Sequence, residues 1–98
     1  MAYYVYIVEC DNDAFYTGYS RDVDKRMKLH MKGKGARYLR IHKPKRLIYV
    51  EECISRAEAM RKERKIKLLS HNQKLRLSKT KLNKIAKNRR KTKKASMI

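Results

Sequence analysis

Residues 3–20 constrain the fold more than any other part of the chain. "YYVYIVEC" alternates aromatic and β-branched residues in the period-2 pattern of a strand. Tyr4, Tyr6 and Val8 fall on one face, and Val5 and Ile7 on the other. "DND" (Asp11 to Asp13) follows as a turn signal, and "AFYTGYS" returns as a second strand. There Tyr16 and Gly18 share one face, while Phe15, Thr17 and Tyr19 share the other. The glycine is odd, because a strand prefers a side chain at that position. It signals either a bulge or bend, or a place where a backbone or phosphate comes close.

The remaining elements follow from caps and periodicity. "DVDKRMKLHMK" is a predicted helix, capped by Ser20 or Asp22, with acidic residues in a first turn that favours negative charge. Val23, Met27 and Met31 recur every four residues and form its expected core stripe. "GKGARYLRIHKP" carries two glycines and the only proline, so it is a loop with one helical turn at most. "RLIYVEECI" is a third strand. "SRAE" predicts a capping box, with Ser55 bonding forward and Glu58 reaching back. "SHNQ" repeats the device at Ser70 and Gln73 and opens a last helix with Leu75, Leu82 and Ile85 on one side. The expected class is α+β: a small antiparallel sheet flanked by helices, in the order β-β-α-β-α-α. A folded domain is expected over 1–84 and a basic, flexible tail over 85–98.

Charge bounds the partners. The 98 residues hold 28 Lys and Arg against 9 Asp and Glu, a net +19 with pI near 10.3. No acidic residue follows Glu63. Such a chain suits a polyanion, since each cation placed on a phosphate releases condensed counterions. A nuclease and a ribosomal-type RNA binder share this signature, so charge alone leaves DNA and RNA both open. The basic segments lack the Trp/Phe/Leu face of an interfacial helix. No run approaches the about 18 apolar residues of a membrane span. No membrane partner is expected, and the N-terminus lacks the leader and apolar core of a signal peptide, which implies a cytoplasmic setting. Cys10 and Cys53 cannot make a four-ligand zinc site and are expected as reduced, buried thiols at strand ends.

Several residues could carry chemistry. Arg26 and His30, four apart on the first helix, flank its apolar stripe at the border of the core. They are either an ordinary basic face or a functional pair. Glu63 lies between Ala59 and Ile66 on a face the helix should bury, where a carboxylate needs a partner. It can bridge to Lys67 one turn on, or hold a hard divalent cation completed by water and phosphate oxygens. Tyr6 and Tyr16 sit on paired strands, where packing alone would account for them. Together, two tyrosines, an arginine, a histidine and a glutamate on a basic domain could hydrolyse a phosphodiester. Arginine would offset the developing charge, and a cation on Glu63 would activate water or stabilise the leaving oxygen.

"YVY" (Tyr4 to Tyr6), "YTG" (Tyr16 to Gly18), "RMKLH" (Arg26 to His30) and "ERKIK" (Glu63 to Lys67), in that order, resemble the GIY-YIG endonuclease domain over roughly residues 2 to 80. "GKGARY", "RLIYVEEC" and "EAMRKERKIKLLS" resemble its small standalone bacterial YhbQ/YazA-like branch, itself similar to the catalytic subunit of a eukaryotic branched-DNA nuclease. The resemblance implies a three-stranded antiparallel sheet between helices and a Mg²⁺- or Mn²⁺-dependent endonuclease acting on DNA, on branched or single-stranded structures. Tyr6, Tyr16, Arg26, His30 and Glu63 match the family's catalytic positions, with Glu63 as its metal ligand. Tyr6 is the expected proton acceptor, with Tyr16 as runner-up or orienting partner. Gly18, Lys34, Arg37, Lys67, Arg89 and Arg90 would contact the nucleic acid. The chain departs from the pattern at Tyr4, where the family has glycine and where a tyrosine could narrow the groove. It departs again at Thr17, where the family has isoleucine. Asn72 is the candidate for an asparagine found late in some members. A non-catalytic nucleic-acid-binding module, or a catalytic subunit completed by a protein partner, are the alternatives.

Overall fold

A computed structural model describes residues 2–80 and 83. Three strands, β1 (Tyr3–Cys10), β2 (Phe15–Ser20) and β3 (Pro44–Cys53), form one antiparallel sheet in the order β2-β1-β3. Helices α1 (Val23–Met31) and α2 (Arg37–Ile41) separate β2 from β3. Helices α3 (Arg56–Lys67) and α4 (His71–Ser78) follow it.

The central strand explains the architecture. Val5, Tyr6, Ile7 and Val8 are all buried, so both faces of β1 must be covered. Val5 and Ile7 pack with Ala59 and Ile66 of α3, and Leu77 of α4 closes against the same cluster. Tyr6 and Val8 pack with Leu39 of α2, backed by Val23 and Met27 of α1. Each fully buried aliphatic side chain here contributes about 1.5–3 kcal/mol. The two thiols split between the layers, Cys10 in one and Cys53 in the other, and both are free and buried.

β3 is two residues longer than β1 because it bulges twice against it, between the partners of Ile7 and Val8 and of Glu9 and Cys10. Such bulges sharpen the local twist. The outer edge of β3 is then closed by one side chain. Asn83 accepts from Val50 N–H at 3.1 Å and donates to Ile48 C=O at 2.8 Å and Ser78 C=O at 2.7 Å. A buried amide thus occupies backbone groups that an open edge would offer to another chain, and it ties the end of α4 to the sheet.

The caps form where the sequence places them, with differences of detail. Asp22 rather than Ser20 caps α1, accepting from Lys25 N–H at 3.0 Å. Ser70 and Gln73 form a complete capping box on α4. On α3, Ser55 accepts from Glu58 N–H, while the Glu58 carboxylate faces Lys62 Nζ at 3.6 Å. Two packing expectations are corrected. Met31 is 62% exposed, and His30 is the buried residue of that turn. The helix is rotated so that imidazole meets a polar partner on β1, and the third stripe position moves to solvent. On α4, Leu75 is exposed and Leu77 packs on the core. Leu82, Ile85, Arg89, Arg90 and the expected 85–98 tail lie outside the described residues.

Candidate active site

β2 is the free edge of the sheet, with α1 on one side and α3 on the other. An open groove of about 740 Å³ crosses this edge. Its walls hold Tyr6 from β1, Tyr16 and Gly18 from β2, Arg26 and His30 from α1, and Glu63 from α3. Residues spread over 58 positions of sequence therefore share one concavity, and Lys34 joins them from the loop after α1. Arg37 is exposed at the start of α2, outside the groove lining, as is Asn72 in the first turn of α4. Tyr4 packs with the Tyr6–Val8 cluster and does not narrow the groove.

The centre of the site is a buried hydrogen bond. Tyr6 Oη and His30 Nε2 are 2.9 Å apart, and both residues are 2% exposed. Ala36 N–H reaches the other ring nitrogen, Nδ1, at 3.3 Å. Nδ1 is therefore the acceptor, and the neutral ring carries its proton on Nε2. His30 consequently donates to Tyr6 Oη, which favours negative charge on that oxygen. Burial, and then the Arg26 charge, hold the His30 pKa below its usual 6.5 and keep the ring neutral.

Tyr16 completes an aromatic trio. Its ring centroid lies 6.5 Å from that of Tyr6 and 5.8 Å from that of His30. Burial pushes both phenols above the ordinary tyrosine value of 10. For Tyr6 the neighbouring Tyr16 and Glu63 add to the rise, and Arg26 opposes it. For Tyr16 the cations Lys67 and Arg26 oppose it. The groove thus holds two protonated phenols whose ionisation needs added positive charge.

Two glycines make this arrangement possible. Gly18 pairs directly with Tyr6 across β1 and β2. A Cβ on Gly18 would sit 2.8 Å from Tyr6 Oη and 3.1 Å from Tyr16 Cε1. The missing side chain therefore gives Tyr6 room to lay its ring across β2, and no bulge occurs there. Gly35 does the same for His30, since its Cβ would lie 1.9 Å from Nδ1.

Glu63 makes the ion pair with the residue one turn on, Lys67 Nζ at 3.2 Å, and also faces the groove beside the tyrosines. A single half-buried carboxylate among phenolic oxygens fits a hard cation that draws most of its shell from water and phosphate. Among the described residues no group of three or more His, Cys, Asp and Glu is placed to hold a metal by protein ligands alone. A thiolate- or imidazole-rich transition-metal centre is not what this donor set suits.

The family model described as the GIY-YIG catalytic domain matches residues 2–76. The chain belongs to the GIY-YIG family. UPF0213 proteins are close in sequence. One from Staphylococcus haemolyticus is 45% identical over 75 residues, covering 76% of this chain and 92% of the relative. One from Staphylococcus saprophyticus is 41% identical over the same length and coverage. The solution NMR structure of a UPF0213 protein from Bacillus halodurans is similar at 45% identity, with a TM-score of 0.53 over 87% of this chain and 90% of that one. This GIY-YIG protein is thus similar to the small bacterial UPF0213 members, and it is α+β with a three-stranded antiparallel sheet, as the sequence implies. No helix among the described residues is long and apolar enough to cross a membrane.

Sequence reasoning missed three features of the site. Gly35 and Ala36 fix the His30 ring, and their signal was the "GKGA" stretch itself. Asn83 closes β3, which becomes legible only with the bulged register. Arg21, Arg56, Tyr3 and Tyr19 also line the groove, and no motif pointed to them.

Proposed function

We propose that this GIY-YIG protein is a divalent-cation-dependent endonuclease that hydrolyses DNA phosphodiesters, acting in the cytoplasm on branched or single-stranded structures. The observation that carries the reading is the Tyr6–His30 hydrogen bond, set in a basic groove between Arg26 and Glu63. Tyr6 Oη takes the proton of the attacking water once it is ionised, a state favoured by the His30 N–H it accepts and by the Arg26 charge. The water oxygen bonds to phosphorus, the bond to the leaving oxygen breaks, and solvent protonates that oxygen. Arg26 holds the scissile phosphate and offsets its developing charge. Tyr16, whose ring lies 6.5 Å from that of Tyr6, orients the phosphate or water. Glu63 would hold Mg²⁺ or Mn²⁺, which when bound supplies charge stabilisation of the phosphate and a more acidic water. Lys34, Arg37 and Lys67 add contacts to the backbone that carry no sequence information.

A second reading has its own support. Burial raises both phenols above their ordinary value, so ionising either one needs positive charge brought to the site. This suits a catalytic subunit that becomes active when a protein partner or substrate completes it.

The test is incubation with flap, fork, single-stranded and plain duplex DNA, with Mg²⁺ or chelator, beside Arg26→Ala and Glu63→Ala. Metal-dependent cleavage lost in both variants supports the endonuclease. Cleavage surviving both places the activity elsewhere, and binding without cleavage on every substrate makes the protein a non-catalytic binder.

A further inference from the structure

The groove continues past the tyrosine–histidine centre to an end built from the start of β1, the end of β2 and the first turn of α3. Two arginines there are held by two tyrosines. The Arg21 guanidinium carbon lies 5.8 Å from the centroid of the Tyr3 ring. Arg56 Nε donates to Tyr19 Oη at 3.3 Å. All four residues line the same groove as Tyr6 and Glu63. The tyrosines are fixed in turn, since both pack against the Val5–Ile7 core cluster. Asp22, a carboxylate of the same groove, is engaged at the α1 N-terminus by Lys25 N–H.

An arginine on a protein surface is ordinarily solvated and mobile. These two lie against rings that are themselves anchored, Arg21 over the Tyr3 ring and Arg56 through Nε on Tyr19 Oη. A guanidinium held through Nε still presents its terminal nitrogens, the part that matches two phosphate oxygens at once. Ordering the side chains in the free protein lowers the cost of ordering them on binding.

We propose that Arg21 and Arg56, set by Tyr3 and Tyr19, form a second phosphate subsite that seats a backbone phosphate away from the scissile one. This rests on reading the groove as a nucleic-acid site. Arg56 and Glu63 are two helical turns apart on α3, about 10 Å along its axis. On the scale of one DNA strand, which rises about 3.4 Å per nucleotide, the phosphate at this subsite lies within a few nucleotides of the bond that is cut. The subsite sets how much strand must extend to one side of the cleavage point.

The experiment measures DNA binding by the full-length chain in chelator, by fluorescence anisotropy over a range of salt. It compares the wild type with Arg21→Gln/Arg56→Gln and with a charge-matched control, Lys43→Gln/Lys45→Gln. The arginine pair is expected to weaken binding about tenfold or more and to flatten the log–log salt slope by about 0.7–0.9, the change for one lost phosphate contact. The control keeps the wild-type slope. A neutral methylphosphonate, scanned outward from the cut over a few nucleotides, weakens the wild type at one position and leaves the arginine-pair variant unchanged there. If the wild type binds and cleaves while the arginine pair keeps its salt slope, the subsite is wrong and the nuclease reading stands. If the wild type neither binds nor cleaves any DNA, the nuclease reading fails and the subsite fails with it.

Discussion

Gly35 closes on His30 with no room for a side chain: a Cβ there would sit 1.9 Å from Nδ1 and 3.0 Å from Cγ. The adjacent Ala36 N–H bonds the same nitrogen. Gly35→Ala must therefore push the imidazole off Tyr6. A displacement of about 1 Å at a reacting group costs on the order of 10²-fold in rate, and that is the loss expected in single-turnover cleavage. Gly33 is the informative contrast. It sits in the left-handed region at φ 73° in a Schellman turn, where its N–H bonds His30 C=O and Lys34 N–H bonds Leu29 C=O. Open space surrounds it. Gly33→Ala should cost about 1–2 kcal/mol of stability while cleavage below the unfolding transition is kept. Equal losses of activity in the two variants would contradict the steric account of Gly35.

The neutral state of His30 gives a pH dependence with a defined sign. Its folded pKa lies below the usual 6.5, so the unfolded chain binds this proton more readily. The resulting stability is fully present above 6.5 and is lost as pH falls from there through the folded value. Urea titrations between pH 8 and 4.5 should show stability declining on the acid side of 6.5. His30→Gln, which cannot charge, should flatten that decline. A variant that loses stability with the wild-type pH profile would remove His30 as the cause.

The sheet, its two layers and most caps were legible in the sequence because period-2 alternation and Ser/Asp caps are local signals. The four-residue spacing of Arg26 and His30 also placed both on one wall. The spacing could not show that the helix turns to bury His30 and expose Met31. That rotation depends on Tyr6, 24 positions away, and on a loop that clamps the ring from behind. Gly18 was recognisable as unusual, but its partner follows from the Tyr6↔Gly18 register, which only the folded hairpin fixes. The α3 residues divided similarly. Glu63 stood out as a carboxylate on an apolar face, whereas Arg56 looked like one more surface cation.

Thr17 departs from the family's isoleucine and leaves a mark in the core. It is 3% exposed on the α3 side of β2, and its Oγ1 is buried with no hydrogen-bond partner among the described residues. An unsatisfied buried hydroxyl costs about 1–3 kcal/mol. Thr17→Val keeps the shape and removes the polar group, so it should stabilise the protein by about 1 kcal/mol in urea unfolding. An unchanged or lower midpoint would show that the hydroxyl is satisfied in solution.

The most direct test concerns which tyrosine takes the proton. Tyr6 Oη receives the His30 N–H, whereas Tyr16 contributes through ring placement. Single-turnover cleavage should be measured with Mg²⁺ for Tyr6→Phe and Tyr16→Phe on whichever DNA structure the wild type cuts. Loss of a general base costs about 10²–10⁴-fold. The account predicts a loss in that range for Tyr6→Phe, with a much smaller loss for Tyr16→Phe. Wild-type cleavage by Tyr6→Phe, or the reverse order of the two variants, would contradict it.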